Sequence, residues 1–194
     1  SGGAVYVQGS SGGTASPVFT HVTFAGNQAP GLGGGALAVY GSAGTALVSV
    51  RNSILTMNTG STTADANVLV NAGAVTLDTS NVTGGCPAAA ICVNPIDLVM
   101  ALQPLDWNGG ATQTMMVGPN SSAINRAANS WCTSTDQRGY MRPQAGSCDL
   151  GAVERRSFFL NVTVTGNGSV SASFPGAISM CTSSSGTCGD IHDG

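Results

Sequence analysis

From Val5 to Asn58 the chain breaks into short apolar runs, with alternating positions such as Val18, Thr20, Val22 and Phe24, each run ended by Gly, Ser, Pro or Asn. Alternation of period two reads as strand, and runs this short between turn formers leave no room for an amphipathic helix. The runs also repeat. Gly2-Gly3-Ala4-Val5-Tyr6-Val7 returns as Gly34-Gly35-Ala36-Leu37-Ala38-Val39, and FTHVTFAGN from Phe19 returns as VRNSILTMN from Val50, at offsets of about 32 and 31 residues. A period of that size, holding several strands, is one coil of a solenoid.

Stacked coils form parallel sheets in which each inward side chain lies on its equivalent one coil away. The repeat therefore sets Phe24 against Leu55, Phe19 against Val50, and Asn27 against Asn58 as a structural asparagine ladder at a corner. His21 falls at the position of Asn52, which predicts a corner hydrogen-bonding role. Residues 61–82 read as a shorter third coil, with strands near Val68–Val70 and Val75–Leu77 around the turn Asn71-Ala72-Gly73. The apolar run Ile96–Leu102 predicts a helical turn or two over the end of the core.

The pattern then changes twice. Asp106–Glu154 is rich in turn formers and carries no long hydrophobic period, so it reads as a loop-built cap on the last coil, whose strand edges and apolar cross-section need cover. After Arg156, the alternation from Phe159 to Thr165, the turn Gly166-Asn167-Gly168 and a following strand predict a β-hairpin. The expected fold is all-β: a right-handed parallel β-helix of about three coils (1–104), a loop-rich C-terminal cap (105–156) and a β-hairpin tail (157–194).

Charge narrows the function classes. Charged residues make up 8% of the chain against 42% hydrophobic, there is no lysine, and the net charge is -3. That leaves no basic footprint for nucleic acid or anionic lipid, and no apolar run approaches the length of a membrane span. Five of the six arginines lie between Arg126 and Arg156, beside Asp136, Asp149 and Glu154, as a cap held by side-chain hydrogen bonds requires.

Six cysteines fall into three local couples, Cys86 with Cys92, Cys132 with Cys148, and Cys181 with Cys188. Sequence alone allows about 15 connectivities, and short loops favour the local one. No spacing is a zinc pattern, so disulfides and an extracytoplasmic setting are expected.

NGGATQT, SSAINRA, DQRGYMRP and CDLGAVE stand in the order found in the bacterial choice-of-anchor Q domain, which this chain resembles over roughly residues 96–154. GGAVYV, GGGALAVY and Phe24-x-x-Asn27 are similar to the repeats of polymorphic outer-membrane proteins. The tail resembles the opening of small bacterial surface repeats that continue beyond this length. These resemblances imply a parallel β-helix at a bacterial cell surface or outside the cell. The chain begins inside its repeat, which predicts a preceding portion.

No catalytic set stands out. On the coils the acids are Asp65 and Asp78, unmatched by the repeat, and Arg51 is the sole basic residue, so neither paired carboxylates nor an elimination base is visible. Asp106-x-Asn108-Gly109-Gly110 is half of a calcium loop without its second acid, and reads better as a turn. Trp107, Trp131 and Tyr140 are candidate glycan contacts, or else core fillers. No cofactor is expected. The sequence points to a non-catalytic structural or adhesive protein, with filament assembly end to end through an open coil and the tail. The alternatives are a polysaccharide lyase or hydrolase and a carbohydrate-binding module.

Overall fold

The computed structural model describes residues 3–29, 33–60, 68–82, 86–95, 102–164, 169–170, 181–182 and 187–193. It divides into two compact units, Ser1–Glu154 and Arg155–Gly194. The described secondary structure is all-β apart from one 3-10 turn at Asn129–Trp131. No helix among the described residues is long and apolar enough to cross a membrane.

Eleven short strands of the first unit return to the same three parallel sheets. One sheet holds β1 (Val5–Ser10), β5 (Leu37–Ser42) and β8 (Val68–Asn71). A second holds β2 (Thr14–Ala15), β3 (Val18–Thr20), β6 (Thr45–Arg51), β9 (Ala74–Asp78) and β11 (Ile91–Val93). The third holds β4 (Thr23–Ala25), β7 (Ile54–Thr56) and β10 (Asn81–Val82). The register is the one the repeat dictates: Val5 opposes Leu37, Phe19 opposes Val50 and Phe24 opposes Leu55. First- and second-repeat partners are 32 apart in β1–β5 and 31 apart in the other two sheets, while second- and third-repeat partners are 31 apart in β5–β8 and 27 apart in β6–β9 and β7–β10. The expected shorter third repeat is present in this spacing, with Ala72 left-handed in the turn between β8 and β9.

Inward positions form one column. Phe24, Leu55, Val48, Val75, Val50 and Leu77 belong to a single buried cluster, and the edge-on contact of Phe19 with Phe24 (5.9 Å) extends it. Ladders close the corners. Asn27 donates its amide to Asn58 Oδ1 at 2.9 Å, and Asn58 donates to the Phe24 carbonyl at 2.9 Å. Neither asparagine is left-handed: Gly26 and Met57, one residue earlier, take the positive φ. The ladder amide thus serves as a hydrogen-bonding rung, while its neighbour makes the bend.

Two expectations need correction. The segment after residue 101 is not free of sheet, because β12 (Leu102–Asp106) pairs antiparallel with β13 (Thr114–Val117). β12 also runs across the expected boundary at 104/105. Its short, uneven runs Leu102–Leu105 and Thr114–Val117 hide the pairing from periodicity, and the register shift between Leu102 and Leu105 shows why.

The second correction concerns where this segment sits. Its described contacts fall on the flank of the first and second repeats rather than on a coil end. Ile54 projects from β7 away from the column and is buried with Val117, Ala123, Ala127, Cys148 and Leu150. The outward position of Ile54 pairs with Thr23 of the first repeat, so an apolar side chain stands beside a polar one. Gly151, left-handed at φ 85°, allows the closest approach, because a Cβ there would lie 2.6 Å from both Ile54 Cδ1 and Thr23 Oγ1. Replacing Ile54 by Thr, the residue of the first repeat, is expected to lower unfolding stability by about 2 kcal/mol through lost burial. Urea denaturation reads this directly. A loss below about 0.5 kcal/mol, the range of surface substitutions, would rule out the flank as the docking face.

The Ile96–Leu102 turn lies, but for Leu102, outside the described residues, as do Asp65 and the turn Gly166-Asn167-Gly168. In the second unit β14 (Ser157–Thr163) pairs antiparallel with β17 (Thr187–Asp193), and β15 (Ser169–Val170) pairs with β16 (Cys181–Thr182). The expected hairpin is therefore corrected: β14 takes the last strand as its partner and not the strand that follows directly. A seven-residue register offers more ladder bonds than the two-residue β15, which explains the choice. The side chains of Cys181 and Cys188 lie outside the described residues. Disulfides join Cys86 to Cys92 and Cys132 to Cys148.

Candidate functional site

The flank contact is built on one corner of the repeat. His21, Asn52, Thr79 and Asn94 occupy equivalent positions, with φ of 55°, 47°, 44° and 46°. Each of the first three donates its backbone N–H to the next repeat: His21 to Arg51, Asn52 to Asp78 and Thr79 to Val93. Asn is well suited to this geometry, while His and Thr are held there by the ladder on either side.

Asn52 then reaches out of its repeat. Its Oδ1 accepts the Ala128 N–H at 2.8 Å and its Nδ2 donates to the Ala128 carbonyl at 2.9 Å. That clasp fixes the amide, so Nδ2 is also what faces His21 Nε2 at 3.2 Å. Nε2 must accept, which puts the imidazole proton on Nδ1. Burial, and after it the charge of Arg142, lowers the pKa of His21 to about 4, against the opposing carbonyls of Gly151, Asp149 and Trp131. The ring is neutral at pH 7.

Beyond the corner lies a buried ionic network. Asp136 Oδ1 accepts the N–H groups of Arg138 (2.8 Å) and Tyr140 (3.1 Å), and Oδ2 accepts Arg138 Nε (2.9 Å) and the Glu154 N–H (3.0 Å). Glu154 Oε1 accepts the Gln144 N–H at 2.9 Å, while Oε2 accepts Arg142 Nη1 (2.8 Å) and the Asp149 N–H (2.9 Å). Arg142 also donates to the carbonyls of Asp149 and Gly151. These carboxylates fasten loops, and their lone pairs are spent on backbone N–H groups and guanidinium. Burial weakens proton binding by Arg142, but Glu154, Asp136 and Asp149 oppose that shift.

The residues singled out from sequence do not converge. Trp107 is 66% exposed, Trp131 lies under the Arg51 guanidinium and Tyr140 under that of Arg138, each 4.7 Å from ring centroid to charge. Two of the three candidate glycan platforms therefore carry cation–π contacts. Asp106 Oδ1 caps the Trp107 N–H, and Asn108 donates its amide to Thr114 O (2.8 Å) and Oγ1 (3.1 Å). Arg138 Nη1 donates to the Asn108 carbonyl at 3.2 Å. Asp78 accepts from the Thr79 hydroxyl at 3.0 Å.

His21, Cys132 and Cys148 bring one potential ligand atom each within 4.8 Å of one another. As a disulfide the two sulfurs are not thiolate donors. A metal on Nδ1 would also require Nε2 to carry the proton, which would face the Asn52 N–H donor head on. The trio thus reads as a buried disulfide packed beside a structural histidine.

Between corner and network is a cavity of about 500 Å³, with Thr20, His21 and Thr23 on one wall and Thr133, Thr135 and Arg142 on the other. Sequence reasoning missed it, because its two walls come from segments over a hundred positions apart. The available signal was Ile54, an apolar residue at the repeat position that Thr23 holds one coil earlier. Compared with known proteins, the chain matches no family, no curated protein and no solved structure.

Proposed function

We propose that the first unit is part of a right-handed parallel β-helix belonging to the choice-of-anchor Q type, and that it serves a non-catalytic structural or adhesive role. The observation that carries this reading is the parallel register, with the same three sheets revisited at steps of 32, 31 and 27 residues. The setting is a bacterial cell surface or the extracellular space. Two disulfides fit an oxidising compartment, and the charge-poor Ser/Thr/Asn/Gly composition fits a surface solvated by neutral groups.

The non-catalytic assignment rests on the state of the described acids. Asp136 and Glu154 are buried and committed to loop closure, and Asp78 is bonded to its neighbour. Assembly end to end is the most specific form of the reading, since β1 and β4 lie at the edges of their sheets and offer backbone groups to a further strand.

Negative-stain electron microscopy of the purified native protein, with labelling of intact cells by a specific antibody, tests both statements. Filaments and surface labelling are the expected results. Particles of single-subunit size at all concentrations would end the assembly reading, and labelling confined to the cytoplasm would end the surface one.

A further inference from the structure

Two tyrosines, one from each of the first two repeats, meet on the outward face of the first sheet. Along β1 and β5 the inward residues Val7 and Val39 belong to the core column, so alternation turns Tyr6 and Tyr40 outward. The register sets Tyr6 opposite Ala38 and Gln8 opposite Tyr40, which makes the two rings diagonal neighbours. Ala38 presents only a methyl to Tyr6, and aromatic side chains are long enough to reach a diagonal partner. The ring centroids lie 5.4 Å apart, with their planes inclined at 35°.

Both rings are open to solvent. Tyr6 is 48% exposed and Tyr40 is half-buried. The Tyr6 hydroxyl donates to Gln8 Oε1 at 3.2 Å, along its own strand and not to Tyr40. One-electron oxidation of a phenol releases its hydroxyl proton and leaves unpaired spin on the oxygen and on the adjacent ring carbons, Cε1 and Cε2. Two such radicals couple where Cε carbons meet. Exposed side chains reorient within picoseconds to nanoseconds, so rings already in contact sample that edge-to-edge approach. The third tyrosine, Tyr140, instead lies under the Arg138 guanidinium.

We propose that Tyr6 and Tyr40 are a site of oxidative modification, joined within one chain as dityrosine by a peroxide acting through a haem peroxidase. Each phenol gives up one electron and its hydroxyl proton, and a Cε–Cε bond forms. The hydrogen on each coupled carbon then leaves as a proton while the phenol oxygen takes one up, which restores both aromatic hydroxyls. In all the chain loses two electrons and two protons, and hydrogen peroxide takes them up to become two waters. The new bond staples the first repeat to the second. It depends on neither the surface role nor the filament role proposed above.

Mass spectrometry reads the bond in the intact chain after treatment, at low protein concentration, with a haem peroxidase and one equivalent of hydrogen peroxide. Cleavage after arginine releases residues 1–51 as one peptide, which holds both tyrosines and no Cys, Met or Trp, while Tyr140 leaves in another. The expected product is peptide 1–51 lighter by two hydrogens, with dityrosine fluorescence on the monomer band of a denaturing gel. Tyr6→Phe and Tyr40→Phe keep the rings and the packing, and each is expected to abolish that product. Tyr140→Phe should leave it intact. An unchanged mass for peptide 1–51 in the native protein overturns the proposal. So does the same product in Tyr6→Phe, or coupling found only between separate chains.

Discussion

Arg142→Met is expected to reduce unfolding stability by about 3–5 kcal/mol, because it breaks a buried ion pair from one side only. The side chain is 1% exposed and its partner Glu154 is fully buried, with 2.8 Å between Nη1 and Oε2. Methionine fills much of the same volume but leaves Glu154 charged and without its cation. It also removes one donor from each of the carbonyls of Asp149 and Gly151. Both losses occur where water cannot compensate. Glu154→Gln should cost several kcal/mol as well, and the double variant less than the sum, because the two share one interaction. Arg126 is exposed and provides the contrast: Arg126→Met is expected to stay within about 0.5 kcal/mol. Urea denaturation of these variants and the native protein at pH 7 checks the set, and an Arg142→Met loss below about 1 kcal/mol would show that the pair does not hold the flank.

Acidification is the second large effect. His21 has its pKa lowered from 6.5 to about 4 in the folded protein, chiefly by burial and then by Arg142. Above pH 6.5 the ring is neutral folded or unfolded and contributes nothing to pH dependence. Between pH 6.5 and 4 the unfolded chain takes up a proton that the folded one refuses, so stability falls as pH falls. Below pH 4 both forms are protonated and this loss stops growing. The full difference amounts to about 3 kcal/mol, since every tenfold change in proton affinity between the two states is worth about 1.4 kcal/mol.

Asp136 acts in a lower window. Burial raises its pKa, but the Glu154 N–H and Arg138 outweigh that and leave it below 3.8. Its contribution is present above pH 3.8 and is lost as pH drops through the folded value. Stability measured from pH 7 to 4 should therefore decline in the native protein and flatten in His21→Asn. Parallel slopes in the two would remove His21 as the source.

The repeat was legible from residues alone because it is a local rule applied over and over. Val5 to Leu37, Phe19 to Val50 and Phe24 to Leu55 follow from matching one run to the next, and a parallel sheet converts that offset into register. The corner role of His21 was visible for the same reason, since it shares the position of Asn52. Pairings within a short loop were legible too. Cys86 with Cys92 and Cys132 with Cys148 are close in sequence, where closure is least demanding.

What escaped was every contact that joins segments with no shared period. The antiparallel pair β12 and β13 is too short and bulged to show alternation. The partner of β14 is set by which distant strand offers the longer ladder. The cap, expected as residues 105–156 at the end of the column, has its described apolar contacts on the flank, where Ile54 is buried against it. One apolar residue in an outward position outweighs a general argument about open ends.

The amino-acid sequence by itself determined the strands, their spacing and the inward column, because side-chain alternation and the repeat act over a few residues at a time. It also supplied the arginines and carboxylates that lock the loops, without saying which would meet. The tertiary structure alone decided that Arg142 pairs with Glu154 and that Asn52 orients His21. Those outcomes depend on the distance and direction of groups carried by different segments, and such geometry exists only once the flank is packed.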